Sequence, residues 1–250
     1  MSTTTPPVVS SRSSPASEPT VPSQTVSVVI PTLNEAGNLP YVLNTIPDWV
    51  DEIILVDGRS TDDTERIARL LHPDVVVVHE MTKGKGAALK AGFAKARGDF
   101  VVCLDADGSM DGAKLGEFRD ALSAGADYVK GSRFAPGGGS ADITRFRRFG
   151  DAGICWLMKM FFGVSYSDAT YGYFAIRRDR VKDLNIDSNG FEVETLINIR
   201  AQKAKMKISE VPCFEADRIH GSSNLHALKD GIRIGRTIVR EALKGARSGR

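Results

Sequence analysis

Phe100-Val101-Val102-Cys103-Leu104-Asp105-Ala106-Asp107 is an apolar run of strand length that ends on two carboxylates. A run so short and continuous reads as a strand buried on both faces. Three similar runs precede it: Val26 to Ile30, stopped by Pro31; Glu52 to Val56, ending at Asp57-Gly58; and Val75 to Val78. Helical patterns separate them, roughly over Leu39 to Ile46, Asp62 to Leu71 and Ala87 to Ala96. The second opens on Ser60-Thr61-Asp62-Asp63 in the manner of a capping box. Strand and helix in alternation predict an α/β, Rossmann-like fold, its mostly parallel central sheet covered by helices on both faces. Ligands of such sheets bind beyond the carboxyl ends of the strands, where Asp57, Asp105 and Asp107 fall.

Beyond residue 110 the spacing predicts a helix over Lys114 to Ala124, a strand near Tyr128 and a Gly-rich loop at Gly137-Gly138-Gly139. A helix from about Arg145 to Phe162, a strand over Tyr171 to Ile176, a helix over Phe191 to Lys203 and a strand over Lys207 to Phe214 follow. Residues 1–25 hold seven Ser, five Thr and five Pro, too little apolar surface to offset ordering, and read as a disordered tail. Residues 26–224 read as one domain and residues 225–250 as a basic amphipathic helix. On that helix Lys229, Arg233, Arg236, Arg240, Lys244 and Arg247 form one stripe. Leu225, Leu228, Ile232, Val239 and Leu243, widened by Ile234 and Ile238, form an apolar face beside it. Such a helix suits either peripheral contact with an anionic membrane or packing on the domain. No stretch has the apolar length of a bilayer span. A net charge of +2 over 250 residues argues against a nucleic-acid partner. Cys103, Cys155 and Cys213 form neither a disulfide framework nor a zinc knuckle, which reads as a cytoplasmic compartment, peripheral at the membrane's cytoplasmic face if the last helix docks there.

In an extended segment, residues two apart share a face, so Asp105 and Asp107 aim at one point. Two hard oxygen donors there suit Mg²⁺ or Mn²⁺ on a substrate phosphate; the alternative is an acidic turn capping the next helix. Gly84-Lys85-Gly86 lacks the spacing of a dinucleotide loop. Its glycines are expected to let the backbone pass close to a donor, with Lys85 either facing a diphosphate or solvated.

Four motifs in order, Ser27-Val28-Val29-Ile30-Pro31-Thr32-Leu33-Asn34-Glu35, Val56-Asp57-Gly58-Arg59-Ser60-Thr61-Asp62, Lys83-Gly84-Lys85-Gly86-Ala87-Ala88 and Leu104-Asp105-Ala106-Asp107, resemble family 2 glycosyltransferases, and most of all the dolichyl- and polyprenyl-phosphate mannose (or glucose) synthases. The resemblance spans roughly residues 26–225 and implies a GT-A fold with a nucleotide-diphospho-sugar donor. By it, Pro31, Leu33 and Glu35 hold base and ribose, Leu55 and Asp57 complete that pocket, and Ala106 lies beside the ribose. Asp105 and Asp107 hold the metal, and Ser109 stands where relatives carry Gln. Gly131-Ser132-Arg133 matches an element whose arginine meets phosphate, against the alternative of a structural ion pair. Arg218-Ile219-His220-Gly221-Ser222-Ser223-Asn224 resembles a loop that closes over the donor phosphates. Asn224 replaces its lysine, and His220 is a phosphate donor, a metal ligand or a simple loop histidine. Arg145, Arg147 and Arg148 are candidates for the acceptor phosphate. Asp168 and Glu192 are candidates for acceptor handling, or else for capping and internal hydrogen bonding. Tyr171 and Tyr173, larger than the family's residues, imply a different acceptor pocket.

The implied reaction is a metal-dependent, inverting transfer of a hexose from a GDP- or UDP-sugar, with Asp107, Arg133 and Arg218 as its charged machinery. A phosphate acceptor is ionised at neutral pH and requires no general base, whereas a hydroxyl acceptor does. No obvious Glu-Asp pair stands late in the chain to serve as that base, which favours a phosphate, and the resemblance implies that this is a polyprenyl phosphate. The alternatives are the same donor chemistry with a soluble hydroxyl acceptor, or a non-catalytic sugar-nucleotide-binding protein.

Overall fold

The computed structural model describes residues 24–141, 143–221 and 227–248. The expected tail up to residue 23, Ser222 to Leu225, and the side chains of Leu228 and Arg247 lie outside the described residues. The chain runs β1 (Val26–Thr32), α1 (Leu39–Leu43), β2 (Glu52–Asp57), α2 (Thr64–Leu71), β3 (Val76–His79), α3 (Lys85–Lys95) and β4 (Phe100–Cys103). It continues through α4 (Leu115–Ser123), β5 (Tyr128–Ser132), β6 (Gly139–Ser140), α5 (Arg145–Phe162) and β7 (Phe174–Arg177). Then come α6 (Val193–Lys203), β8 (Ile208–Pro212), β9 (Phe214–Glu215) and α7 (Ala227–Ser248).

Seven strands form one sheet in the order β3-β2-β1-β4-β7-β5-β8. All are parallel except β7, which runs antiparallel between β4 and β5. Strand alternation divides the core: Val28 and Ile30 face α1, α2 and α4, while Val29 faces α3, α5, α6 and α7. The sheet grows outward from β1 to β3, then the chain returns to place β4 on the other side of β1. That reversal opens a crevice at the carboxyl ends of β1 and β4.

Three expectations shift. The strand expected at Tyr171 begins at Phe174, because the Asp168 carboxylate accepts the N–H groups of Thr170 and Tyr171 (3.2 and 3.1 Å) and curls the chain into a turn. The strand expected over Lys207 to Phe214 divides at Cys213. Its N–H donates to Ser132 O at 2.8 Å while its carbonyl accepts from Gly139 N at 3.0 Å. The chain thereby leaves the main sheet and pairs β9 with β6. Helix α7 buries Ile234 and Ile238 in the core and leaves Ile232, Val239 and Leu243 exposed. Part of its basic stripe is neutralised, since Arg240 and Lys244 pair with Asp187 at 3.4 and 3.3 Å.

Candidate active site

A cleft of about 710 Å³ occupies the β1/β4 crevice. Pro31, Leu33 and Glu35 enter it from the end of β1, and Asp105, Ala106 and Asp107 from the end of β4. Lys85 comes from the start of α3, Arg133 from the end of β5, Arg147 from the first turn of α5, and Arg218 from the strap after β9.

Lys85 is the most tightly held cation. Its Nζ lies 2.6 Å from Asp105 Oδ1 and 2.5 Å from Glu194 Oε1, and all three side chains are largely buried. Burial opposes its charge, yet the two carboxylates outweigh burial and hold the ammonium well above its ordinary value. Glu194 is pushed upward by burial, with Lys85 pulling back. Gly172 packs on this group: a Cβ there would sit 2.5 Å from Asp105 Oδ2, 2.6 Å from Lys85 Nζ and 2.9 Å from Glu194 Oε1. Lys85 is therefore not a solvated loop residue.

Across the cleft, Arg218 bridges β1 and β4. It reaches Glu35 Oε1 at 3.1 Å and Asp107 Oδ2 at 3.4 Å. Burial raises the Glu35 pKa, against the pull of Asn38 and Arg218. Asn38 Nδ2 donates to Glu35 and to His220 O, and His220 N donates to Asn38 Oδ1 at 2.8 Å. The strap is thus pinned onto the start of α1. Ser109 donates both its N–H (3.0 Å) and its hydroxyl (2.7 Å) to Asp107 Oδ1, orienting that carboxylate. Among the described residues no third carboxylate, His or Cys joins Asp105 and Asp107 in a metal-ligating group. Two hard carboxylates at a cleft wall fit an ion that takes its remaining ligands from water and a diphosphate, and they suit Mg²⁺ or Mn²⁺ better than an all-protein cage would.

Other expected residues fall elsewhere. Leu55 is fully buried in the core on β2 and does not line the cleft. Asp57 accepts Ser60 N–H at 3.1 Å and holds the turn beneath the cleft wall. His220 turns its ring outward against Tyr41, centroids 5.9 Å apart, and does not line the cleft. Arg148 is exposed over the Phe134 ring. Arg133 lines the cleft, but its fork belongs to Asp168 (2.7 and 3.0 Å), and its remaining nitrogen reaches Glu215 at 3.1 Å. These carboxylates raise its already high pKa despite burial. The bidentate grip expected for phosphate is spent inside the protein, and Asp168, fully buried, positions Arg133 instead of meeting an acceptor. Glu192 caps its own loop by accepting the Ser188 hydroxyl. Glu194, two residues on, is the one that faces the cleft. Tyr173 stacks on Phe118 at 4.4 Å in the core, so only Tyr171 borders the cleft. The glycines of Gly84-Lys85-Gly86 admit backbone of another kind. Gly84 has φ +113°, and a Cβ on it would lie 2.0 Å from Asn189 O, so the loop packs on the chain that leads into α6.

Sequence reasoning missed Glu194 and Lys130. The Lys130 side chain is fully buried, donating to the carbonyls of Gly131 (3.0 Å) and Tyr171. Burial lowers its pKa, against the pull of Asp168 and Glu194. The charge of Glu194 just inside a helix start was a usable signal; nothing local marks Lys130 as buried.

The model of the Glycosyl transferase family 2 domain matches residues 27–184. The chain is 34% identical over 217 residues to polyprenol monophosphomannose synthase of Mycolicibacterium smegmatis, covering 82% of each. It is 34% identical over 218 residues to undecaprenyl-phosphate mannosyltransferase of Micrococcus luteus, covering 80% of this chain and 87% of that one. In three dimensions it resembles glucosyl-3-phosphoglycerate synthase of Mycobacterium tuberculosis, solved with Mn²⁺, uridine diphosphate and glucosyl-3-phosphoglycerate. The TM-score is 0.69 at 24% identity, over 88% of this chain and 80% of that chain. That likeness is one of fold, and the fold is GT-A.

Proposed function

The chain belongs to glycosyl transferase family 2, and from that membership we propose that it moves a hexose from a GDP- or UDP-sugar to a polyprenyl phosphate, inverting the anomeric carbon. The observation that carries this reading is the meeting of Asp105, Asp107, Lys85 and Arg218 in one cleft at the sheet's switch point. The names of the two mannosyl-transferring relatives support the lipid-phosphate acceptor.

Asp105 and Asp107 would hold Mg²⁺ or Mn²⁺. The chemistry supplied there when the ion is bound would be positive charge against a departing nucleoside diphosphate. Pro31, Leu33, Glu35 and Ala106 bind the nucleoside. Arg218 and Lys85, held in place by ion pairs with the cleft's acids, present their charge to the diphosphate without rearranging, which is electrostatic stabilisation of the leaving group by groups already in place. Arg147 meets the acceptor phosphate, whose ionised oxygen attacks without a general base.

The test is transfer of label from GDP-mannose or UDP-glucose to polyprenyl phosphate in detergent solution, with Mg²⁺, Mn²⁺ or EDTA. Label is expected in the organic phase with one donor and a divalent ion. Asp107→Asn is expected to lower kcat/KM by about 10²–10³-fold, as for loss of one charge-stabilising group. Label confined to the aqueous phase would overturn the lipid acceptor, and full activity in EDTA would overturn the metal assignment.

A further inference from the structure

Helix α5 follows the cleft directly: Thr144 caps it by accepting Arg147 N–H at 3.2 Å, and Arg147 lines the cleft. Its buried side carries Asp151 and Met158. Its outer side carries Phe146, Phe149, Trp156 and Met160, at steps of three, seven and four residues, which lie along one stripe. Phe146 is 73% exposed, Phe149 77% and Trp156 61%. Gly153 completes the stripe, and a Cβ on it or on Gly150 would meet nothing within 4 Å. Three large aromatic side chains held in water on one helix face form a patch that a soluble surface seldom carries.

The exposed charge on α5, bordering the stripe at Arg145 and flanking it at Arg148 and Lys159, is of one sign. Arg145, Arg148 and Lys159 are exposed, and none of them pairs with a carboxylate among the described residues. The helix's sole acid, Asp151, is buried and accepts the Thr170 hydroxyl at 2.7 Å. Aromatic rings flanked by cations that pair with no carboxylate among the described residues, on a helix whose own described residues expose no acid, complement a surface that is apolar below and anionic above. Helix α7 offers a weaker match, because Asp187 and Glu241 draw on Arg240 and Lys244. We infer that α5, and not the C-terminal helix, is the face by which this protein docks on an anionic lipid bilayer, with Phe146, Phe149 and Trp156 entering the headgroup boundary. The contact stands on α5 itself. Its purpose, to hold the cleft mouth near a lipid-linked phosphate, rests on the proposed acceptor.

Co-sedimentation of the full chain with vesicles of phosphatidylcholine alone, or mixed with phosphatidylglycerol, tests the inference; neither vesicle contains polyprenyl phosphate. Binding is expected to the phosphatidylglycerol vesicles, weakening with salt. The double substitution Phe149→Ser with Trp156→Ser is expected to lower the bound fraction about tenfold, and Arg145→Gln with Arg148→Gln to remove the preference for anionic lipid. A blue shift of tryptophan emission on binding, lost in Trp156→Phe, reports insertion at α5, because the only other tryptophan is Trp49. Wild-type protein left in the supernatant, or binding abolished by Val239→Ser with Leu243→Ser but untouched by the α5 substitutions, overturns the inference. So does a dimer in solution that the Phe149 and Trp156 substitutions convert to monomer while vesicle binding is absent. Transfer in detergent is measured separately, so loss of docking and loss of the proposed activity are told apart; the Phe149 and Trp156 variants, which lie outside the cleft lining, are expected to keep activity there.

Discussion

At the scale of single residues, the cleft is a set of acids already matched by cations. Asp105 is held by Lys85 and Asp107 by Arg218, so each charge is fixed by an opposite one; under the proposed function an incoming diphosphate and ion would exchange partners with them. Gly172 keeps that arrangement tight, and Gly172→Ala would push a methyl group into the Lys85, Asp105 and Glu194 cluster. The expected result is a folded protein with kcat/KM reduced about 10²-fold, the scale of a 1 Å misplacement. Titration of divalent ion and nucleotide separates a binding loss from a chemical one. Glu194→Gln is expected to lower nucleotide affinity as well, because Lys85 would lose one of its two anchors. A residue that served only the fold would lower the melting temperature and leave binding intact. Sequence reading put both aspartates at the close of the fourth strand, whereas they lie in the turn just past β4, and put Lys85 in a Gly-rich loop that the structure makes the first turn of α3. It chose Glu192 over Glu194, because a two-residue offset at a helix start is decided by which turn faces the cleft.

At the scale of elements, the Arg133 network joins β5, β9 and the loop before β7. Asp168 takes two guanidinium nitrogens and three backbone N–H groups, of Arg133, Thr170 and Tyr171. Burial alone would raise its pKa, but Arg133 and Lys130 prevail and hold it below the ordinary value of 3.8. A lowered carboxyl stabilises the fold above its unfolded pKa and loses that contribution as pH falls through the lowered value. Asp168→Asn is therefore expected to cost about 3–5 kcal/mol near neutral pH and to flatten the acid limb of stability below about pH 4, measured by urea unfolding across pH. If Asp168 instead held the acceptor, the same substitution would raise the acceptor KM and leave the unfolding midpoint in place.

Across the whole molecule, the last helix is locked to the domain by charge as well as by Ile234 and Ile238. Glu241 accepts from Arg200 at 3.0 Å and from Lys203 at 2.9 Å. Despite burial, these partners bring its pKa down to about 2. Its stabilisation is complete above the ordinary value of 4.5 and fades as pH falls toward about 2. Glu241→Gln is expected to lower stability by about 1–3 kcal/mol at neutral pH and to remove that acid dependence, visible in thermal melts taken at pH steps. Proteolysis that trims α7 from the variant but not from wild type would show that the helix is held by this pair.

The chain's own sequence determined the α/β layering, the strand ends that bear Asp57, Asp105 and Asp107, and the bounds of α5, because alternation and apolar runs are local signals. It did not decide which charged groups meet. The pairing of Arg133 with Asp168 and Glu215, the burial of Lys130, the core placement of Leu55 and Tyr173, and the exposure of Phe149 and Trp156 depend on segments far apart in the chain. Those distances close only when β7 inserts antiparallel and β9 leaves the main sheet. A local pattern fixes whether a residue lies on a strand or a helix; which neighbour neutralises or covers it is set by how the layers pack.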